Sequence, residues 1–342
     1  MKKNFFVAFF FIALSIFLFS MVVGICFGTE RIRFAQVWQA LFFSENAEPH
    51  VAIIVKDIRL PRVVLAGLCG ALLAGSGAVF QGFFRNPLAD SGIMGISSGA
   101  TLGAVLSAMI PLGLTCTSAF VQANLTALCA FAGAIATALI VYAVSIFHGQ
   151  RGDTTAIILT GTAVSSFSSA VTSFLILVKD KELYRMFNWT LGSFNGKGWE
   201  DLFLLLPATG IATLLLFVCS GFLDILSGGQ QTAQALGLNL TTARRLVLAS
   251  GSLAAATGVC MGGTIGFVGL VAPHIIRRIF SPKHRLLVPA SMICGGTFLV
   301  LADTIARSVA PPSELPVGII TALVGAPFFV CLLFSSKGDN HA

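Results

Sequence analysis

Uncharged apolar runs of helix-spanning length recur along this chain, and they constrain its fold more than any other feature. The first runs from Phe5 to Phe27, and others of similar length follow with only short polar breaks between them. A helix needs about 20 apolar residues to cross the hydrocarbon core of a bilayer. Strands of a membrane barrel would alternate apolar and polar residues over about ten positions, and these runs do not alternate. Only 10% of the 342 residues are charged, 56% are hydrophobic and the mean hydropathy is +0.91. A soluble domain carries about 25% charged residues, so the solvent for this surface is lipid. The fold class is all-α, a polytopic membrane protein forming one transmembrane domain over residues 1–342. The expected spans are 5–27, 61–82, 92–111, 119–147, 154–178, 201–221, 245–263, 264–280, 286–309 and 315–335. The seventh and eighth are separated only by a glycine-rich kink, "MGGTIGFVG", so nine spans are the alternative to ten. Glycine and alanine abound within the spans, as close helix packing in lipid requires.

The net charge of +7 does not point to nucleic acid, because the basic residues are scattered over short loops with no stripe or soluble domain to carry them. They serve topology and contact with anionic lipid. Lys2 and Lys3 place the N-terminus in the cytoplasm, and an even number of spans puts the C-terminus there too. The first apolar run is longer than a signal-peptide core and lacks a clean small-residue cleavage site, so it reads as a retained helix. The eight cysteines all lie in apolar runs without a CxxC pair and read as small buried hydrophobes. A faint internal repeat links "RVVLAGLCGALLAG" (62–75) to "RLVLASGSLAAATG" (245–258). The two helices would run in opposite directions, the arrangement of an inverted repeat.

No catalytic apparatus is legible. There is no GxxxxGK[ST] loop, HExxH, GxSxG or facing pair of intramembrane carboxylates. No residue is assigned as catalytic, and no metal or cofactor is expected. Asp303 is the one acid well inside a span, and Arg307 stands four residues on, at the spacing of a helical ion pair. A secondary carrier needs ionisable groups at the midplane, so energy for uphill transport would come from another chain. A stand-alone channel or secondary carrier is the alternative, and it would move cargo without an ATPase.

Between two spans lies "RNPLADSGIMGISSGA" (85–100). Pro87 ends a helix and restricts Asn86 to extended backbone. Asn86 and Asp90 can bond orphan backbone groups at the next helix start, and Gly92, Gly95 and Gly99 permit close contact with a neighbour. Non-helical backbone at membrane depth is tolerated only against protein or a water-filled cavity, so this break should line a pathway. Together with "GFVGLVAPHIIRRI" (266–279) and "SELPVGIITALVGAPFFVCLL" (313–333), it resembles the FecCD-type permeases, the iron-chelate and vitamin B12 uptake subunits of type II ABC importers. The resemblance runs from Ile58 to Leu333.

That resemblance implies ten helices and a homodimer or close heterodimer, with the homodimer as the first expectation. It also implies two copies of an ATP-binding subunit, an extracytoplasmic substrate-binding protein, and a place in the bacterial cytoplasmic membrane. It places Asn86 and Leu88 near a cytoplasmic gate and Thr154 and Thr155 as a second gate element. It places an ATPase-coupling helix within "FLDILSGGQQTAQALGLNL" (222–240), with Leu226, Ala233 and Leu236 as apolar contacts and Gly237 ending the helix. The basic stretch 274–285 would lie nearby. Arg59, Arg62 and Arg307 would dock acidic side chains of the binding protein. Those arginines could instead snorkel at the interface, and Asp303 could occupy Arg307. Siderophore-bound iron is the expected cargo, with haem and cobalamin as alternatives. Two departures stand out: Ser91 where the family usually has proline, and Gln230 and Gln231 where an acidic residue is common.

Overall fold

The computed structural model describes residues 2–43, 47–110, 119–147, 154–178, 183–279 and 283–338, and every regular element among them is helical. Helix α1 (Lys2–Cys26) is followed by α2 (Phe34–Phe42) and α3 (Pro49–Ile53). α3 runs on through a π-helical turn, Ile54–Arg59, into α4 (Leu60–Phe84). Then come α5 (Ile96–Ser107), α6 (Ala119–Phe147), α7 (Thr154–Val178) and the short α8 (Leu183–Thr190). The remainder is α9 (Trp199–Ser227), α10 (Gln230–Ala235), α11 (Leu240–Gly262), α12 (Val268–Ile279), α13 (His284–Ser308) and α14 (Val317–Gly338). A helix stands at each of the ten expected spans. Among the described residues, seven helical stretches are long and apolar enough to cross a bilayer.

α5 and α12 are the exceptions that matter. Each has 12 residues, about 18 Å of helix, too short to cross alone. The expected span 92–111 is instead a 3₁₀ turn at Ser91–Met94, a left-handed Gly95 at φ 69° and then α5. Gly263, at φ 74°, similarly ends α11 before α12 begins.

α4 is the hub. Cys69 Sγ meets the Gly258 carbonyl at 3.1 Å and Ser76 Oγ donates to the Gly251 carbonyl at 2.8 Å. Those pairings run α4 and α11 antiparallel, so the two repeated segments face each other in opposite directions. α13 packs antiparallel on another side of α4, where a Cβ at Gly70 would sit 2.2 Å from the Gly295 carbonyl oxygen. Only glycine allows that approach, and dispersion between two bare backbones replaces a hydrophobic force that lipid cannot supply. α1 lies parallel to α13, with Phe17 over Gly67 and Gly296. α5 and α6 form a second antiparallel pair, joined through Gly99 and Gly133.

Candidate functional site

The chain has functional features at both ends of the bundle and along one open helix. At the end where α4 begins, Arg59, Arg62 and Arg307 are 4, 4 and 3% exposed. Their exposure as docking cations is therefore corrected: all three are consumed inside the protein. Arg62 Nη2 and Arg307 Nε reach Asp303 at 2.9 and 3.0 Å, and Arg62 Nη1 reaches Glu314 at 2.7 Å. The helical pair of Asp303 and Arg307 is present, and Arg62 joins it across 241 residues of sequence. Arg59 Nη1 donates to the carbonyls of Ile25 and Cys26 at 2.7 and 3.1 Å, and Nη2 donates to Glu30. The last carbonyls of α1 have no intrahelical donor, and a guanidinium there satisfies them and complements the helix dipole. Arg307 adds a bond from Nη2 to the Gly24 carbonyl at 2.9 Å. Charge taken out of water demands such partners, and the cluster ties α1, α4, α13 and the segment before α14 together. Trp199 extends this end, its Nε1 donating to the Lys56 carbonyl at 3.0 Å. Glu314 carries no signal of its own in the sequence; an arginine inside an apolar helix is what calls for a second acid.

At the opposite end, Arg85 caps α4 in a left-handed conformation, φ 51°. The break that follows is held by its own side chains. Asn86 Oδ1 accepts from the Leu88 N–H at 2.9 Å, closing a local turn, so it does not cap α5. Asp90 Oδ1 accepts from the Ser91 N–H at 2.7 Å and caps the 3₁₀ turn. Ala89 is buried while Pro87 and Leu88 are exposed. Gly95 and Gly99 make the expected close contacts, but Gly92 faces open space. α7 packs on this same break: a Cβ at Gly161 would lie 1.9 Å from the Ile93 carbonyl oxygen. Thr155 is exposed at the start of α7, next to Thr154, whose side chain lies outside the described residues.

The segment 222–240 shares that end. Residues 222–227 continue α9, so Leu226 belongs to a long helix and only α10 is a separate short one. Ala233 is fully buried, Leu236 is 69% exposed, and Gly237 adopts φ 80°. The Gly237 and Leu238 amides donate to Gln234 and Ala233 at 2.9 and 3.0 Å. This paired termination needs a left-handed residue, which glycine adopts without a Cβ clash. The end of α9 is bonded in two directions. Arg85 Nη2 donates to the Leu226 carbonyl at 2.8 Å. Asp224 accepts from the His284 and Arg285 amides and so caps α13. The basic stretch thus adjoins the α9–α10 segment, with residues 280–282 outside the described residues.

α7 is, after α1, the least covered of the long helices. Thr155, Thr162, Ser166, Ser169 and Ser173 are exposed along one face at helical spacing. Toward the α8 end of that face is a recess of about 540 Å³. α5 supplies Ser97, Ser98 and Thr101 to its wall, and α7 supplies Ser169, Thr172 and Ser173. Thr190 and Thr264 add two more hydroxyls, and among the described residues no charged side chain lines it. No motif search finds this recess, because its hydroxyls come from four separate segments.

A bundle of membrane-length apolar helices with broken half-helices and a hydroxyl-lined open face has the form of a membrane transport subunit. The chain belongs to the FecCD transport family, whose model matches residues 16–335. It is 44% identical over 285 residues to the cobalamin import system permease protein of Halobacterium salinarum, covering 82% of this chain and 73% of that one. It is 34% identical to an Fe(3+)-citrate import system permease protein of Bacillus subtilis, covering 97% and 95%. A solved metal-chelate type ABC transporter in an inward-facing conformation superposes with a TM-score of 0.81 at 30% identity, covering 95% of this chain and 98% of that one. The protein is thus a multi-pass permease subunit of a type II ABC importer for metal chelates, vitamin B12 or haem.

Proposed function

We propose that two copies of this chain face each other across α7 and form a translocation pathway that a separate pair of ATP-binding subunits opens and closes. The observation that carries this reading is the hydroxyl stripe on α7. α1 is even less covered, but its exposed face is Phe11, Ile12, Leu18 and Phe19, which suits lipid, whereas α7 exposes hydroxyls beside Leu159, Phe167 and Phe174. A face of Thr155, Thr162, Ser166 and Ser169 suits water or a second protein surface. Asn86, Leu88, Thr154 and Thr155 form the gate at the Arg85 end, which faces the cytoplasm, as do both termini.

The ATPase seats on α10, with Leu236 as the exposed apolar contact and Ala233 as the packed hinge of that helix. Movement of α10 passes through Leu226 and Asp224 to the turn at Arg85 and to the start of α13. Alternating access follows when ATP binding favours one arrangement of these joints over the other. The extracytoplasmic binding protein lands on the Arg59 end. There the buried arginine cluster fixes the shape of the face, while exposed Arg31 and Arg33 present charge.

The cargo is an organic metal chelate. Siderophore-bound iron is the first reading from the breadth of the family. Cobalamin is the second, favoured by the 44% identity to a cobalamin import permease. Haem completes the set. Purification of the chain from its native membrane tests the core of the proposal: an ATPase should accompany it, and Leu236→Asp should release that ATPase. Uptake by vesicles holding the permease alone, without nucleotide, would establish the channel or carrier reading instead.

A further inference from the structure

Several helical threonines of this chain return their hydroxyls to their own helix. Thr209, Thr257, Thr297 and Thr304 each donate to the carbonyl four residues back at 2.7–2.9 Å. Thr172 does not. It is 6% exposed, its Oγ1 has no hydrogen-bond partner, and it lines the recess between α5, α7 and α8. A buried hydroxyl without a partner destabilises the fold, and a valine of the same shape would remove that cost. Neighbouring hydroxyls line the same space: Thr101 Oγ1 and Thr264 Oγ1 lie 3.1 Å apart, within hydrogen-bond distance of each other.

We infer that this recess is a binding site within the permease for an uncharged metal chelate, and that Thr172 donates to or accepts from its organic shell. The inference rests on the proposed pathway along α7 and adds selectivity to it. A hydroxyl is donor and acceptor at once, so a ring of them matches amides, hydroxamates and hydroxyls in either sense. Among the described residues no cation lines the wall, so these residues offer nothing to a polycarboxylate, whose charge would lose its hydration without a counterion. Ile176, Leu177 and Phe187 supply an apolar edge for the carbon skeleton of the ligand. The permease therefore screens cargo after the binding protein has released it.

Equilibrium binding to the full-length permease in lipid nanodiscs tests this with three probes: cyanocobalamin, ferrichrome and ferric citrate. The first two are amide-rich and carry no net charge; the third is a polyanion. At least one neutral chelate should bind the wild type, and ferric citrate should not. Thr172→Val should weaken the neutral chelate about five-fold, the worth of one hydrogen bond. Its thermal unfolding temperature should match or exceed that of the wild type, which separates lost binding from lost folding. Failure of both neutral chelates to bind, binding of ferric citrate to the same degree, or equal affinity in Thr172→Val would overturn the site. Failure of ATP-driven uptake by the native complex would instead remove the transport proposal and leave the binding result standing.

Discussion

α4 and α7 are both 25-residue apolar helices, yet 83% of the apolar stretch containing α4 is buried against 17% for α7. The difference lies in what their small residues do. In α4 they bring neighbouring backbones together: Gly70 abuts Gly295, and Gly77 abuts Gly269. In α7 one small residue, Gly161, performs that task, and the hydroxyls are left on an uncovered face. A membrane protein has no water to drive its helices together, so backbone proximity decides which helix becomes core. The helix left outside, and lined with hydroxyls, is the one free to face a partner and a cargo.

Substitutions can break this contrast, and the largest effect falls on α4. Gly70→Leu forces a side chain into the Gly295 carbonyl and should cost about 3 kcal/mol or more. Ala163→Leu on the exposed side of α7 should shift stability by about 0.5 kcal/mol at most. Thermal unfolding in detergent compares the two, and equal stability would deny α4 its role as hub. Asp303→Asn comes next. It leaves Arg62 and Arg307 without their shared carboxylate and should cost about 3–5 kcal/mol in the same assay. Ser166→Leu reverses the pattern: unfolding stays near the wild type while ATP-driven vesicle uptake falls several-fold. Gly237→Ala adds about 1 kcal/mol of local strain from a left-handed alanine. The global unfolding temperature should hold while ATPase recovery in pull-downs declines.

The same contrast explains what the sequence made legible. Span positions follow from apolar runs, and all ten found helices. The Asp303 and Arg307 pair was readable because both partners sit on one helix, four residues apart. Arg62 was not, since its carboxylates come from 241 and 252 residues away. The same distance hid the burial of Arg59, whose acceptors are the last carbonyls of α1. Gly237 was legible as a helix terminator because the requirement is local. Gly92 showed the limit of that logic: a glycine in a break marks permitted backbone freedom and guarantees no close neighbour. The hydroxyl recess was beyond reach for a different reason. Thr172 looks like every other helical threonine until its missing partner is seen in three dimensions.

The central claim is that the hydroxyl face of α7 meets an aqueous path, and thiol labelling in the membrane tests it most directly. Single cysteines at Thr162, Ser166 and Ser169 would be introduced into a chain with its native cysteines replaced, beside controls at Phe11 and Leu18 on α1. A water-soluble, membrane-impermeant thiol reagent should modify the α7 positions and spare the α1 positions. If the α7 cysteines resist the reagent as fully as those on α1, that face lies in lipid and the proposed pathway is contradicted.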